Sequence, residues 1–266
     1  MSSPRPPAHL SPRVSVVLPA YNEEQRIGPA LDELFAYLTA SAPGRAGSRP
    51  AGELGSVEVI VVDDGSRDRT AEIVEQRAAR LGSGEATLRL LRVDHSGKGG
   101  AVRAGMLEAA GELIVFADAD MATPPDQLPQ LIDALADSDV ALGSRIQPDG
   151  SDRRASQPFR RRLMGKVFHL LAALWVTGRV PDTQCGFKGF RAPAARDLFG
   201  RQRLTSIVFD AEVIHLARRR GYRIVSVPVE WSDKHGSRMH ASLGLALRVL
   251  VDLLRIPFLH RSVGRA

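Results

Sequence analysis

The sequence predicts an α/β protein: a mostly parallel sheet flanked by helices, followed by C-terminal amphipathic helices. Three observations carry that prediction. Between residues 14 and 144, short apolar runs alternate with segments of helical periodicity, the pattern of parallel strands joined by right-handed crossovers. Polar and acidic residues stand directly after those runs, where open α/β sheets bind their ligands. The composition, 266 residues of which 44% are apolar and 25% charged, suits a folded domain with a large core. It excludes a mainly disordered chain, a collagen and a multi-span membrane protein.

Val14–Pro19 (VSVVLP) reads as the first strand, and helical periodicity follows from about Glu23 to Leu38. Ala40–Gly55, rich in Gly, Pro, Ser and Arg, reads as a loop. Val57–Val62 is a buried strand stopped by Asp63-Asp64-Gly65-Ser66. A helix runs from about Asp68 to Leu81, with Ser66 or Asp68 as its cap. Leu88–Val93 is a third strand, Gly99–Ala110 a helix ended by Gly111, and Leu113–Ala117 a fourth strand. Pro124 or Pro125 opens a helix through Leu135, and Val140–Gly143 is the fifth strand. Beyond it the pattern is less regular. Gln147–Arg162 is a polar, Arg-rich connection, Leu163–Thr177 is helical, and Val180–Phe190 is a loop with a short strand. Asp210–Arg220 is a helix, Ile224–Val229 a strand, and Ser242–Phe258 a helix broken by Pro257. The expected organisation is a disordered tail at 1–13, one folded domain at 14–241 and an amphipathic extension at 242–266.

A net charge of +6 and a pI near 10.1 favour anionic partners: nucleic acid, phosphorylated small molecules or an anionic membrane surface. Nucleic acid is set aside, because no recognised motif interleaves aromatics with the basic residues. One cysteine, Cys185, excludes an intramolecular disulfide and a Cys-based zinc site. It reads as a small buried residue and fits a reducing compartment. The apolar stretches Val167–Thr177 and Leu243–Leu259 are too short or too interrupted to span a bilayer, and residues 1–13 have no apolar signal core. The expected location is therefore cytoplasmic.

Three strand ends carry candidate chemistry. Asp118-Ala119-Asp120 offers two hard carboxylates, suited to Mg²⁺ or Mn²⁺, which complete their shell with substrate phosphates. Alone, it reads as a turn with an aspartate cap. Its place at a strand end beside another acidic strand end favours the metal. Asp63-Asp64-Gly65-Ser66 reads either as a turn with Asx-type caps or as an acceptor for a base edge or ribose. Gly97-Lys98-Gly99-Gly100 is neither a Walker A loop nor a dinucleotide fingerprint. Its glycines allow close backbone approach to a phosphate with Lys98 at a helix N-terminus, or simply a flexible turn.

Taken together, VVLPAYNE (Val16–Glu23), VVDDGSRDRT (Val61–Thr70), GKGGAVRAG (Gly97–Gly105), FADADMAT (Phe116–Thr123), LGSR (Leu142–Arg145) and DTQCGFK (Asp182–Lys188) resemble the family 2 glycosyltransferases of GT-A, Rossmann-like fold. Within them the chain looks like the polyprenyl-phosphate sugar synthases, nearest to the dolichyl-phosphate glucosyltransferases, over about residues 14–255. The resemblance implies roles residue by residue. Pro19, Tyr21 and Glu23, with Asp63 and Asp64, would hold uracil and ribose, and Lys98 would contact the nucleotide. Asp118 and Asp120 would bind the metal on the diphosphate, and Asp120, Arg145, Asp182, Gln184 and Asp210 would form the catalytic set. Arg145 would lie near the donor sugar or acceptor phosphate. Asp182 and Gln184, with Thr183, would line the sugar pocket, and Asp210 and Glu212 would lie across the cleft. Ser237 and Arg238, with His235 and Gly236, would close over the phosphates. The glucosyl members carry an N-terminal membrane anchor that this sequence does not display, so attachment is expected to be peripheral, at the cytoplasmic face.

The expected reaction is metal-dependent, inverting transfer of glucose from UDP-glucose to a polyprenyl phosphate. Other donors (GDP-mannose or a UDP-N-acetylhexosamine), a hydroxyl acceptor and a non-catalytic nucleotide-binding role are the alternatives. A phosphate monoester is largely dianionic at neutral pH, so it needs cations rather than a base. Arg153, Arg154, Arg160, Arg161, Arg162 and Lys166 supply them, unless they form a solvated basic surface. Asp210 becomes a candidate base if the acceptor is a hydroxyl. Leu163–Val176 and Leu243–Leu259 combine apolar faces with basic residues, as an interfacial helix requires, or else pack on the core or a second subunit. His169 and His215 fall in apolar helical patterns and read as structural; Trp231 is read as either stacking or packing.

Overall fold

The computed structural model describes residues 12–39, 54–81, 86–152, 171–178, 180–232 and 243–264. Side-chain alternation builds the first strand. In β1 (Val14–Ala20), Val14, Val16 and Leu18 enter one core and Val17 the opposite one, all buried, as a strand covered on both faces requires. β2 (Val57–Asp63) is buried at every position and pairs with β1 in parallel from Val14↔Val57 to Ala20↔Asp63. β3 (Ala86–Arg92) flanks β2, and β4 (Leu113–Ala117) lies on the other side of β1. β5 (Val140–Ser144), β6 (Phe187–Arg191) and β7 (Ile224–Pro228) complete a seven-stranded sheet in the order β3-β2-β1-β4-β6-β5-β7.

β6 is the one reversed strand, antiparallel to both β4 and β5. Two reversals cancel, so β5 runs with β4, and the carboxyl ends of β1, β2, β4 and β5 share one edge. That edge is where a ligand meets an open α/β sheet.

Helices cover both faces. α1 (Ile27–Leu38), α2 (Thr70–Leu81) and α4 (Leu128–Ala134) contribute Ile27, Leu31, Leu34, Val74, Leu128 and Leu131 to one core. α3 (Lys98–Glu108), α5 (Ala192–Arg201) and α6 (Phe209–Arg220) contribute Val102, Met106, Leu198, Phe199, Phe209 and Val213 to the other. Each such side chain, fully buried, is worth about 1.5–3 kcal/mol. A third cluster joins Ala172 and Val176, Val208 and Ala211 of α6 with its N-terminal flank, and Leu253 and Ile256 of α7 (Leu243–Leu259).

The structure corrects several sequence expectations. α1 begins at Ile27 rather than Glu23, because the preceding residues are spent elsewhere: Glu23 N–H donates to Thr70 Oγ1 (2.7 Å) and Glu24 N–H to Asp68 Oδ2 (3.2 Å). Asp68 caps α2 by accepting the Thr70 N–H at 3.0 Å. The helix expected from Pro124 or Pro125 starts as a 3₁₀ turn, Pro125–Gln127, before α4. α5 was not expected; Pro193 sits in its first turn, where a missing N–H costs nothing. α7 is not broken by Pro257 but continues to Leu259, anchored by buried Leu253 and Ile256. The Leu163–Thr177 segment ends in one wide π-type turn, Ala173–Thr177. The expected tail through residue 11, the loop at 40–53, the basic segment 153–170 and the loop at 233–242 lie outside the described residues. No described helix is long and apolar enough to cross a membrane.

Candidate active site

At the ends of β1 and β2, the acidic pair divides its labour. Asp63 Oδ1 accepts the Ser66 N–H at 3.1 Å, closing an Asx-type turn. Asp64, 2% exposed, accepts the N–H groups of Ser96 (2.8 Å) and Gly97 (3.0 Å) and ties the β3–α3 loop to the strand end. The same loop presents His95, whose ring stacks on Tyr21 with centroids 4.2 Å apart. Asn22 adopts a left-handed φ of 54° and clips the two loops together, donating to Ser66 Oγ and accepting from Arg67 N–H. The result is a partly exposed aromatic shelf with carboxylates beneath it. Pro19 sits within β1 opposite Val62, past the last residue of β1 that pairs with β4. Its missing N–H therefore breaks no ladder on that side.

β4 delivers the second acidic pair. Asp118 N–H donates to Gly186 O at 2.9 Å, and a Cβ at Gly186 would collide with the Asp118 carboxylate. Lys98 Nζ meets Asp118 Oδ1 at 2.6 Å. Burial opposes its charge, but the Asp118, Asp210 and Asp120 carboxylates outweigh that and hold the ammonium above its ordinary pKa. Asp120 Oδ1 accepts the Ala122 N–H (3.1 Å), and Arg26 approaches Oδ2 at 3.6 Å. Burial and the Asp118 charge push the Asp120 carboxyl up; Ala122 N–H, Arg26 and Lys98 pull it down. Gly97, at φ 101°, owes its identity to the protein: a Cβ there would lie 2.8 Å from Thr205 O. Gly99 N–H also donates to Thr205 O, at 2.8 Å. Packing on the 204–206 segment thus explains Gly97 and Gly99, a Cβ at Gly100 would strike Ser96 Oγ, and Lys98 points at the carboxylates.

The β5 end holds a buried ion pair. Arg145 donates from N, Nε and Nη2 to the Asp182 carboxylate at 3.0, 2.7 and 2.8 Å, with its guanidinium 5.5 Å from the Trp231 ring. Burial acts against the Arg145 charge, yet Asp182 raises its pKa overall. Gln184 N–H donates to Asp182 Oδ1 (3.3 Å), while Gln184 Nε2 and Thr183 Oγ1 are buried without a hydrogen-bond partner. Orphaned polar atoms beside a strand-end cleft are suited to a polyhydroxylated ligand. Lys188, 0% exposed, donates to Asp210 Oδ1 (2.6 Å) and Cys185 O (2.5 Å). Burial raises the Asp210 carboxyl, against Lys188 and Lys98.

Lys98, Asp118, Asp120 and Asp210 are therefore one electrostatic cluster, and Arg26, itself clamped by Glu23, links the β1 end to it. Glu212 does not face the cleft. It is 0% exposed and accepts the Arg203 and Leu204 N–H groups (both 2.9 Å) and pairs with His260 at 2.6 Å. Arg160, Arg161, Arg162, Ser237 and Arg238 lie outside the described residues, as does His169. His215 Nδ1 lies 3.3 Å from Val176 O, and its Nε2 is buried without a hydrogen-bond partner. Sequence reasoning missed Arg26, His95 and Lys188 as parts of the site. A lysine inside the apolar run Phe187–Phe190 was the available signal for Lys188, since a buried cation demands an anion. Nothing in the sequence marked Arg26 or His95.

The donor set fits a hard divalent cation. Asp118 and Asp120 supply two carboxylates close enough to perturb one another. Among the described residues no group of three or more His, Cys, Asp or Glu forms a protein-only cage. Two carboxylates, with the remaining positions left for water and phosphate, would suit Mg²⁺ or Mn²⁺.

Comparison with known proteins identifies the family. Residues 15–199 match the family model for glycosyl transferase family 2. A dolichyl-phosphate beta-glucosyltransferase of Trichomonas vaginalis is 38% identical over 92% of this chain and 71% of the relative. The Drosophila melanogaster and Homo sapiens enzymes of the same name are 37% and 34% identical, each over 85% of this chain and 69% of the relative. Among solved structures, glucosyl-3-phosphoglycerate synthase from Mycobacterium tuberculosis with UDP superposes with a TM-score of 0.62 at 21% identity, over 92% of this chain and 80% of that one. Its complex with Mn²⁺, UDP and glucosyl-3-phosphoglycerate gives 0.59 at 21%, over 92% and 79%. At that identity the likeness speaks for the fold. The chain is an enzyme of glycosyl transferase family 2.

Proposed function

We propose that this enzyme transfers glucose from UDP-glucose to a polyprenyl phosphate with inversion, forming a β-linked lipid phosphosugar. The observation that carries the reading is the Asp118/Asp120 pair at the shared carboxyl edge, faced by Lys98 and Arg26. The curated relatives support the glucose and the lipid phosphate, since all three bear the name dolichyl-phosphate beta-glucosyltransferase.

Asp118 and Asp120 would hold Mg²⁺ or Mn²⁺, which offsets charge as the diphosphate leaves. The Tyr21–His95 shelf accepts the uracil by stacking, with Pro19 and Glu23 at its margin and Asp63 and Asp64 below for the base edge and ribose. Lys98 contacts the diphosphate. Asp182, Thr183 and Gln184 line the sugar pocket. Arg145, fixed by Asp182, stands near the sugar or the acceptor phosphate. The acceptor oxygen bonds to the anomeric carbon while the bond to the diphosphate breaks on the opposite face, and UDP departs with the electron pair. A dianionic phosphate needs no proton removed. Asp210, already spent on Lys188, then orients the cluster rather than acting as a base. Arg160, Arg161, Arg162, Ser237 and Arg238 are assigned to the acceptor and donor phosphates. The enzyme works as a peripheral protein on the cytoplasmic face of a membrane.

The test is a donor panel. Purified protein, Mg²⁺ or Mn²⁺ and a short polyprenyl phosphate are incubated with labelled UDP-glucose, UDP-N-acetylhexosamines or GDP-mannose, and solvent-extractable label is counted. Label from UDP-glucose alone is expected. Label from another donor corrects the sugar, and release of nucleotide only with a hydroxyl acceptor restores Asp210 as a base. Asp120→Ala is expected to cut transfer at least about 10²-fold, the scale on which transition-state charge stabilisation is lost, with an unchanged circular dichroism spectrum.

A further inference from the structure

Both carboxylates assigned to the cation are already met by cations of the chain. Lys98 Nζ is 2.6 Å from Asp118 Oδ1 and Arg26 Nη1 is 3.6 Å from Asp120 Oδ2. Arg26 is bonded first to Glu23 and only approaches Asp120, so the close counter-charge at the pair is the lysine's. The two sides differ in freedom. The Asp118 side chain is as exposed as that of Lys98, 34% each, but it is short, on a backbone held by the N–H bond to Gly186 O, and it packs where Gly186 lacks a Cβ. Lys98 is about one-third exposed, at the first residue of α3, on a stem with four rotatable bonds' worth of reach. If one partner leaves, it is the lysine.

We propose that Lys98 is a resident counter-ion that competes with the divalent cation for Asp118 and releases it when a nucleoside diphosphate takes up its ammonium. This rests on the reading of Asp118 and Asp120 as the cation site. Swinging away from Asp118 without a new anion strands an ammonium in a partly buried cleft, where Asp210 is already bonded to Lys188. A diphosphate removes that obstacle, because its oxygens accept charge-assisted hydrogen bonds as strong as the one given up. Metal and nucleotide then favour each other through the lysine as well as by direct contact, and the coupling is reciprocal. The free enzyme holds the metal weakly, and nucleotide opens the site to it.

The experiment measures Mn²⁺ binding, not turnover. Free Mn²⁺ is titrated by electron paramagnetic resonance against wild type, Lys98→Met, Lys98→Ala and Lys98→Arg, each with and without UDP, with circular dichroism confirming the fold. Without UDP, Lys98→Met and Lys98→Ala are expected to bind Mn²⁺ more tightly than wild type by roughly 5- to 150-fold, the usual range for a coupled pair of sites. Lys98→Arg, which keeps the charge, should stay weak. The ratio of affinities with and without UDP should fall in Lys98→Met. If the neutral variants bind Mn²⁺ no better than wild type without UDP, while UDP still promotes binding to wild type, the competition is overturned and the cation site stands. If no protein binds Mn²⁺ even with UDP, the cation site itself is wrong and the competition falls with it.

Discussion

The Asp182 carboxylate is 1% exposed and is held by the side chain and backbone N–H of Arg145 and by the Gln184 N–H. Removing one member of such a pair leaves the other buried and uncompensated. Asp182→Ala is therefore expected to destabilise the fold by about 3–5 kcal/mol, read as a lower urea midpoint. A loss under 1 kcal/mol would mean that water reaches Arg145 freely. Cys185 is the opposite case. Its residue is 0% exposed, and burial with the nearby Asp182 charge pushes the thiol pKa up to about 12. Because the thiolate is the reactive form, a charged disulfide reagent at pH 8 should leave the native protein unmodified and titrate one thiol after unfolding. Modification at a rate independent of denaturant would contradict this. Both residues were visible in the sequence as members of one motif, but only Cys185 could be read from its chemistry. The pairing of Arg145 with Asp182 joins two loops 37 residues apart, and no local pattern encodes it. The same holds for Lys98 and Asp118, which the sequence offered as two separate motifs.

At the level of elements, periodicity revealed the first five strands and the helices between them, because each buries apolar residues at its own period. What it did not reveal was orientation and junctions. The reversal of β6 follows from its pairing with β4 and β5, and a five-residue strand such as FKGFR carries no signal of its direction. α5 was missed although it makes a deliberate joint with α6. Asp197 of α5 accepts from Arg201 one turn on (2.8 Å), from Arg220 at the end of α6 (2.7 Å) and from Tyr222 Oη (3.1 Å). Burial alone would raise the Asp197 carboxyl, but the three donors hold it below its ordinary value of 3.8. A group depressed in the folded state stabilises above its unfolded pKa, and that contribution fades as pH falls through the folded pKa. Asp197→Asn should therefore lower Tm by a few degrees at pH 7, and the gap to wild type should narrow as pH drops below about 3.8. A gap of the same size at pH 3 as at pH 7 would assign the effect to shape rather than charge. A second joint ties α7 to the cleft. Asp252 accepts from Ser206 Oγ (2.7 Å), and His260 pairs with Glu212, which in turn holds the 203–204 backbone beside the Gly97–Gly99 loop.

For the whole molecule, the outstanding feature is where its uncovered apolar surface lies. α7 turns Leu253 and Ile256 inward and leaves Leu247, Leu250, Val251, Leu254 and Phe258 exposed along its other side, with Phe258 68% exposed. Leu171, Leu174 and Trp175 extend the patch, and the Trp175 indole donates to Leu254 O at 3.3 Å, so the two segments are one surface. Arg248 and Arg255 lie on the same helix, giving the mixture of apolar face and cations that an interfacial helix needs. The amphipathic pattern was legible in the sequence; which side is buried was not, because both sides of α7 carry leucines and only the packing on α6 decides. If the patch rests on the membrane that carries the acceptor, the protein should co-sediment with vesicles containing anionic lipid, more weakly with neutral ones. Leu254→Glu combined with Phe258→Glu should abolish that binding. Each charge introduced replaces a side chain worth about 1.5–3 kcal/mol when buried in lipid, so the pair removes at least about 10²-fold in partitioning. Both positions are exposed, so the fold and UDP binding should be unaffected, while use of a long-chain polyprenyl phosphate in vesicles falls and use of a short, dispersed one does not. Equal loss with both acceptors would place the defect in the cleft. Unchanged co-sedimentation would assign the apolar surface to a second protein chain. Because α7 is joined to the cleft through Asp252 and His260, a membrane on its outer side would steady the loop that carries Lys98, and UDP affinity should rise when vesicles are added to wild type but not to the double variant.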